Sequence, residues 1–345
     1  MGIANEAERT AGTAFLGDPI ENSSHVCSDA AGVDSLQFPL IRCPRCKAGL
    51  RRFNCNFCGL EMRVVRGIVH ALPPDRVSHF ARFTADYEHI RKSEGRGSAS
   101  DDFYLDLPFK NISGPDQQWN VRARTFTFLM REIFPQHDFG ARTVLDLGSG
   151  NCWLSYRLAL AGSRPVAVDL LTNDFDGLGA ARHFQKQLPH LFPRFQAELS
   201  CLPFQDDQFD VAVFNASFHY AEDCFSAFGE ALRCVKPGGL IVIADTPWYS
   251  KDESGRAMVT ERREAFLQRY GTASDSIRCL EYLTDQRLEA IAEKLSIEWQ
   301  ILFPPYGWWW RMRPIVAKLR GRREPSRFRV YVAKKGPAGR NRVDL

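Results

Sequence analysis

The chain has 345 residues, 44% hydrophobic and 12% aromatic, which is ample for a packed core and exceeds one ordinary domain. No apolar run is long enough to span a bilayer. The first thirty-five residues lack the basic start and continuous apolar segment of a secretory leader, so a cytoplasmic location is expected; the net charge is only +4.

In chain order, residues 1–35 carry too few large apolar groups to repay ordering and are expected to form a disordered tail. Residues 38–72 follow with two Cys-x-x-Cys pairs, Cys43 and Cys46, then Cys55 and Cys58. That spacing lets each pair grip one ion through a tight turn, which predicts a closed four-thiolate site and a small zinc ribbon. Gly59 supplies the permissive backbone of the second turn. Zinc is the expected metal and its role structural, because a closed site leaves no open coordination position. Iron suits the same thiolate set, and a redox dithiol or a pair of bridges is the non-metal alternative. The other cysteines are scattered among apolar positions and read as small core residues.

Residues 75–135 read as a helical connector, rich in aromatics and interrupted by the polar stretch Arg91–Ser100. Beyond it, apolar runs near 142–147, 164–169, 194–198, 209–215 and 239–245 alternate with helical segments, the pattern of a doubly wound, mostly parallel sheet. Runs at 297–303 and 327–333 suit a final antiparallel edge pair. The domain so defined spans 136–335, and 336–345 is a flexible basic tail.

The first of these strands runs into Asp146-Leu-Gly148-Ser-Gly150, and the second ends in Asp169, nineteen residues after Gly150. Glycines without a Cβ let the backbone turn sharply against a ligand, and a carboxylate beside the loop can accept both hydroxyl protons of a ribose. A dinucleotide site requires a third glycine where the pyrophosphate meets the helix. Here that position is Trp153, and the anion Asp146 repels phosphates while suiting a cationic amino-acid ligand.

The loop, Asp169 and the later stretches Phe195–Phe204, Gln208–Tyr220 and Leu232–Asp245 follow in the order shown by class I S-adenosylmethionine-dependent methyltransferases, which this chain resembles over about residues 80–335. The resemblance implies a seven-stranded Rossmann-like α/β sheet and S-adenosylmethionine as cofactor. It puts Glu198 near the adenine amino group, Leu199 with its amide facing the ring, and Asn215 below the cofactor at the end of strand four. It also implies that the connector lies over the cofactor as a lid. Tyr87, Arg91, Glu94, Arg96, Tyr104, Trp119 and Arg122 are available there, and an arginine among them can pair with the methionine carboxylate. The loop Asn173–Gly179 is a second candidate for the rim. The ribbon resembles small zinc-ribbon proteins that activate some methyltransferases.

A sulfonium carries its own leaving group, so such an enzyme needs a base only when the nucleophile arrives protonated. His219 is the side chain best suited to that role by type, with Tyr220 and Trp248 as pocket residues. The strand-four end, Asn-Ala-Ser-Phe, lacks the proline-aromatic clamp of enzymes that methylate exocyclic or amide nitrogens, and no Pro-Cys pair stands ready to attack a pyrimidine. The family type, often grouped with quinone-biosynthesis and natural-product enzymes, implies oxygen or carbon methylation of a small or lipid-like acceptor.

Ribosomal or transfer RNA methylation is the first rival, because a ribbon ahead of this fold also resembles enzymes of that kind; a catalytically idle scaffold whose ribbon recruits a partner is the second. From Pro305 onward twelve Lys or Arg face two acids, +10 there and −6 over the rest. The segment 306–323, with Trp308, Trp309 and Trp310 among cations, suits a bilayer surface or RNA phosphates, or else caps the sheet.

Overall fold

Strands covered by helices on both sides read as continuous apolar runs, and the central strands here obey that rule. They are β3 (Thr143–Leu147), β4 (Arg164–Asp169), β6 (Phe209–Asn215) and β7 (Val235–Ala244), and their middle residues are buried on both faces. The computed structural model describes residues 38–109, 117–135 and 142–337. The expected tail at 1–35 and residues 338–345 of the expected basic tail lie outside the described residues.

Alternation along the strands assigns side chains to two cores. Leu145, Leu147, Phe214 and Ile243 point to the side covered by α5 (Cys224–Cys234) and α7 (Asp285–Leu295). Val144, Val211, Val213 and Val242 point to the other, where α3 (Gln117–Phe128) and α4 (Trp153–Leu160) pack. α5 and α7 begin on side-chain caps, Asp223 accepting from the Phe225 amide and Thr284 from the Arg287 amide. Ahead of α3 stand α1 (Pro74–Ser93), which opens on a proline whose missing N–H costs nothing there, and the short α2 (Asp101–Leu105).

Among the described residues the sheet has nine strands, not seven. With β1 (Arg63–Val65), β2 (Ile68–His70), β5 (Arg194–Gln196), β8 (Gln300–Leu302) and β9 (Val330–Lys334), the order is β1-β2-β5-β4-β3-β6-β7-β9-β8. β3 to β9 are the seven expected, with β9 antiparallel to both β7 and β8. The extra pair is a hairpin closed by Arg66 and Gly67 at φ of 50° and 70°, and β2 runs parallel to β5 with Ile68 opposite Arg194. Each of its strands is three residues long, too short for alternation to register. Ile68 and Val69 are nonetheless buried, so the segment that follows the cysteines is stitched into the main sheet.

From β3 the chain winds outward through β4 and β5, then returns to lay β6 on the other side of β3. Strand order reverses there, which opens a crevice beyond the carboxyl ends of β3 and β6. α6 (Asp252–Tyr270) follows β7, and α8 (Trp308–Leu319) interrupts the final pair between β8 and β9.

Candidate functional site

The crevice holds a cavity walled by Gly148, Gly150, Asp169, Glu198, Leu199 and Asn215, six of the seven residues expected to meet a cofactor. The loop after β3 is held by its own backbone. The amides of Gly148 and Ser149 both donate to the Val168 carbonyl, at 2.8 and 3.0 Å. Gly148 sits at φ +73°, and a Cβ there would lie 2.3 Å from the Ser217 Cβ, so only glycine fits. The amide of Gly150 donates to Asp169 Oδ2 at 2.7 Å and that of Leu171 to Oδ1 at 2.8 Å. Asp169 therefore fixes the loop and keeps one lone pair on each oxygen for a ligand hydroxyl. Burial raises its pKa to about 6, against these hydrogen bonds.

The seventh residue, Asp146, is not on the cavity wall. It lies buried beneath the loop, where Ser155 Oγ of α4 donates to its Oδ2 at 2.7 Å. Burial pushes its pKa up to about 7. It ties the glycine loop to the helix that follows instead of facing a ligand. Trp153, at the first turn of α4, does line the cavity, wedged edge-on against Trp119 and Phe126 where a pyrophosphate would need a glycine.

Glu198 is clamped by Arg76 of α1, whose Nε and Nη2 lie 2.9 and 2.6 Å from its two oxygens. Arg76 also reaches Glu222 at 3.1 Å. α1 crosses the mouth, contributing Phe80, Phe83, Tyr87 and Arg91 to the wall. Arg91 pairs at 2.5 Å with Asp176, from the loop expected at the rim, and Asp176 also takes a hydrogen bond from Asn151. Arg122 of α3 lies on the same wall over the Trp119 ring at 4.7 Å. Burial, then Arg91 and Arg96, hold its pKa below the usual arginine range, and a buried guanidinium with no ion pair among the described residues favours an anionic partner.

His219 is elsewhere. It lines an adjoining cavity, and burial, with Arg262 and Arg122 nearby, lowers its pKa to about 3. A ring so weakly basic stays neutral at physiological pH and is a poor proton acceptor, which argues against the role of base. Tyr220 lines both cavities and packs edge-on to Tyr87. Trp248 is a buried sheet residue: its indole donates to Asp285 and its face carries Arg329 at 3.3 Å.

The four cysteines expected to hold a metal converge. Their sulfurs lie within 4.8 Å of one another, with Cys43 to Cys58 at 3.5 Å and Cys46 to Cys55 at 3.4 Å. A tetrahedral zinc with bonds of about 2.3 Å requires edges of roughly 3.8 Å, so the set fits that ion. The two knuckles are built alike: the Lys47 amide donates to the Cys43 carbonyl and the Gly59 amide to that of Cys55, both at 2.9 Å, with Lys47 and Gly59 both at positive φ. Peptide N–H groups of Cys58 and Phe57 directed at Cys55 favour its thiolate.

Four contributors, Arg76, Phe80, Phe83 and Asp245, escaped the sequence. Arg76 and Glu198 are 122 positions apart, and no local pattern joins them. Phe80 and Phe83 look like any helix core. Asp245, at the end of β7, was within a recognised stretch but without a role; it stands on the wall of the adjoining cavity.

A parallel sheet reversing at β3 and β6, with a two-glycine loop pinned to an acid at the end of β4, is the Rossmann-like architecture of methyltransferases. Residues 145–243 match the family model described as a methyltransferase domain. Demethylmenaquinone methyltransferase of Streptomyces avermitilis is 33% identical over 105 residues, 30% of this chain and 42% of that protein. Malonyl-[acyl-carrier protein] O-methyltransferase of Yersinia pestis is 30% identical over 114 residues, 33% of this chain and 40% of the other. The chain thus spans about two fifths of the length of these curated relatives. Among solved structures, an S-adenosylmethionine-dependent methyltransferase from Mesorhizobium loti aligns with a TM-score of 0.39 at 19% identity, covering 57% of this chain and 92% of that one.

Proposed function

We propose that this protein transfers a methyl group from S-adenosylmethionine to a small or lipid-like acceptor, on oxygen or carbon. The observation that carries the reading is the loop Gly148–Gly150 pinned to Asp169 with Trp153 across the phosphate position: it suits a nucleoside and disfavours the pyrophosphate of a dinucleotide. When bound, the cofactor supplies an electrophilic methyl carbon on a sulfonium. Asp169 accepts from the ribose hydroxyls, Glu198 and Leu199 border the adenine, and Arg122 pairs with the methionine carboxylate. Phe83, Tyr87 and Tyr220 shield the reacting carbon from water.

Cys43, Cys46, Cys55 and Cys58 hold a structural zinc ion. The described cysteines are all free, which suits the reducing cytoplasm, and among the described residues no helix is long and apolar enough to cross a membrane. A lipid-like acceptor is favoured by α8, which exposes Trp308 and Trp309 beside Arg311.

Calorimetric titration with S-adenosylmethionine tests the cofactor assignment: Asp169→Ala is expected to weaken binding at least about tenfold, and unchanged affinity would refute it. Incubating the protein with methyl-labelled cofactor and fractionated cell extract then identifies the acceptor. Label in the small-molecule or lipid fraction is expected; label confined to RNA overturns that part.

A further inference from the structure

Beside the cofactor cavity lies a second one of about 390 Å³, which shares Phe83, Tyr87, Tyr220 and Ala216 with it. Much of its wall is apolar, with Phe266, Trp310 and Phe328 among the larger side chains. Its acids differ in one respect: Glu281 is held bidentately by Arg262 and Glu94 takes a single contact from Arg96 Nε, whereas Asp245 forms no ion pair among the described residues. Asp245 is 5% exposed. Its Oδ1 accepts from Thr125 Oγ1 at 2.6 Å, and because that hydroxyl proton is committed, the Tyr306 hydroxyl 2.8 Å away donates to Thr125. Its Oδ2 has no hydrogen-bond partner among the described residues. A buried carboxylate oxygen without a donor is costly to keep, and native structures retain such atoms where a ligand or a reaction completes them.

We propose that Asp245 Oδ2 is the proton acceptor for the methyl acceptor, and that the acceptor is an apolar ring compound that presents a hydroxyl to it. This rests on the methyl-transfer reading above. The acceptor oxygen forms its bond to the methyl carbon as the methyl–sulfur bond breaks; the hydroxyl proton passes to Asp245. The products are a methyl ether, the neutral thioether of the cofactor and a protonated Asp245, which returns its proton to water when the products leave.

The surroundings support the assignment. Burial raises the pKa of Asp245 to about 6, against donation from Thr125 and the charge of Arg122, so it is ionised near neutrality yet more basic than an exposed aspartate. The titratable and charged groups that share its cavity are Arg122 from α3, Tyr87, Arg91, Glu94 and Arg96 from α1 and its end, His219 and Tyr220 after β6, Arg262 from α6, Cys279 and Glu281 ahead of α7, and Arg313 from α8, with Tyr306 behind Thr125. Of these His219, whose Nδ1 is likewise buried without a hydrogen-bond partner among the described residues, is the alternative base; burial and the nearby Arg262 and Arg122 lower its pKa.

The test uses the full chain saturated with S-adenosylhomocysteine and two probes, 2-naphthol and its methyl ether, with binding read from tryptophan fluorescence. Wild type is expected to prefer 2-naphthol by about tenfold near pH 8, since a hydrogen bond to a buried carboxylate discriminates strongly. That preference should fade as the pH falls through about 6 and Asp245 protonates. Asp245→Asn should retain S-adenosylhomocysteine affinity and lose most of the preference at every pH. Thr125→Val, which keeps the carboxylate and removes its donor, should move the midpoint to higher pH. Equal binding of the two probes by wild type, no binding of either, or an undiminished preference in Asp245→Asn overturns the proposal. Failure of wild type to bind S-adenosylhomocysteine overturns the methyl-transfer reading itself.

Discussion

Two carboxylates under and beside one glycine loop are both buried, and that has a measurable consequence for stability. Asp146 has a folded pKa of about 7, raised by burial against the Ser155 hydrogen bond, where an unfolded aspartate titrates near 3.9. A raised carboxylate pKa means that the group is tolerated when protonated and penalised when ionised. Its stability is therefore fully present below about pH 4 and lost as the pH rises through about 7, on the order of 4 kcal/mol at most. Asp146→Asn removes the charge at nearly constant shape, so the variant should be more stable than wild type at pH 8, and its advantage should vanish toward pH 4. Urea unfolding across that range measures the difference; an advantage independent of pH would rule out this origin.

The two glycines of the loop make a sharper contrast. Alanine at 148 meets Ser217 at 2.3 Å as well as a positive φ, whereas at 150 the nearest atom is 3.7 Å away and only the φ of 53° is unfavourable. Gly148→Ala should cost several times more than the roughly 1 kcal/mol expected of Gly150→Ala. Similar losses in the two variants, measured the same way, would contradict the geometry. These glycines and Asp169 were legible in the sequence because a Cβ-free turn and a strand-end acid leave a local mark. Arg76 on Glu198, Thr125 on Asp245 and the burial that weakens His219 were not, since each depends on contacts between distant segments.

At the level of elements, the cysteine-rich segment does not stand apart from the sheet. Arg194 of β5 donates to the carbonyls of Arg66 and Gly67, and Met62, Val69 and Ala71 lie in the same core as Leu145 and Phe214. Arg45, between the first two cysteines, pairs with Asp75 in the first turn of α1, one residue before the Arg76 that clamps Glu198. Loss of the metal should therefore reach the cofactor site through α1. Treatment with a strong chelator, or Cys43→Ser, is expected to lower the melting temperature by several degrees in one calorimetric transition and to weaken cofactor binding. Two separate transitions, with cofactor affinity intact, would show that the ribbon folds and acts alone. Spacing alone announced the four cysteines; the hairpin that couples them to the sheet did not, because its two strands are too short to show a period.

For the whole molecule, six of the twelve cations beyond residue 305, Arg311, Arg313, Lys318, Arg320, Arg322 and Arg323, lie on or just after α8, a helix that turns several apolar side chains outward. Trp308, Trp309, Ile315 and Leu319 are 59%, 71%, 51% and 82% exposed, and Arg311, Lys318, Arg320 and Arg322 surround them. On its inner side, Trp310 and Arg313 line both the cavity that holds Asp245 and a third cavity that runs along α8. A helix combining interfacial tryptophans with cations binds anionic bilayers through buried apolar area and surface charge together. The protein should accordingly float with phosphatidylserine-containing vesicles and much less with phosphatidylcholine alone. Replacing Trp308 and Trp309 together by Ala should weaken flotation about tenfold or more while leaving S-adenosylmethionine binding unchanged. Added salt should reduce but not abolish association, because only the charge component is screened. RNA makes the opposite demand, since retention on phosphates is governed by counterion release and falls steeply with salt. Flotation equal on both vesicle types or absent from both, together with strongly salt-dependent retention of labelled RNA, would assign α8 to a nucleic acid and set aside the lipid-like acceptor.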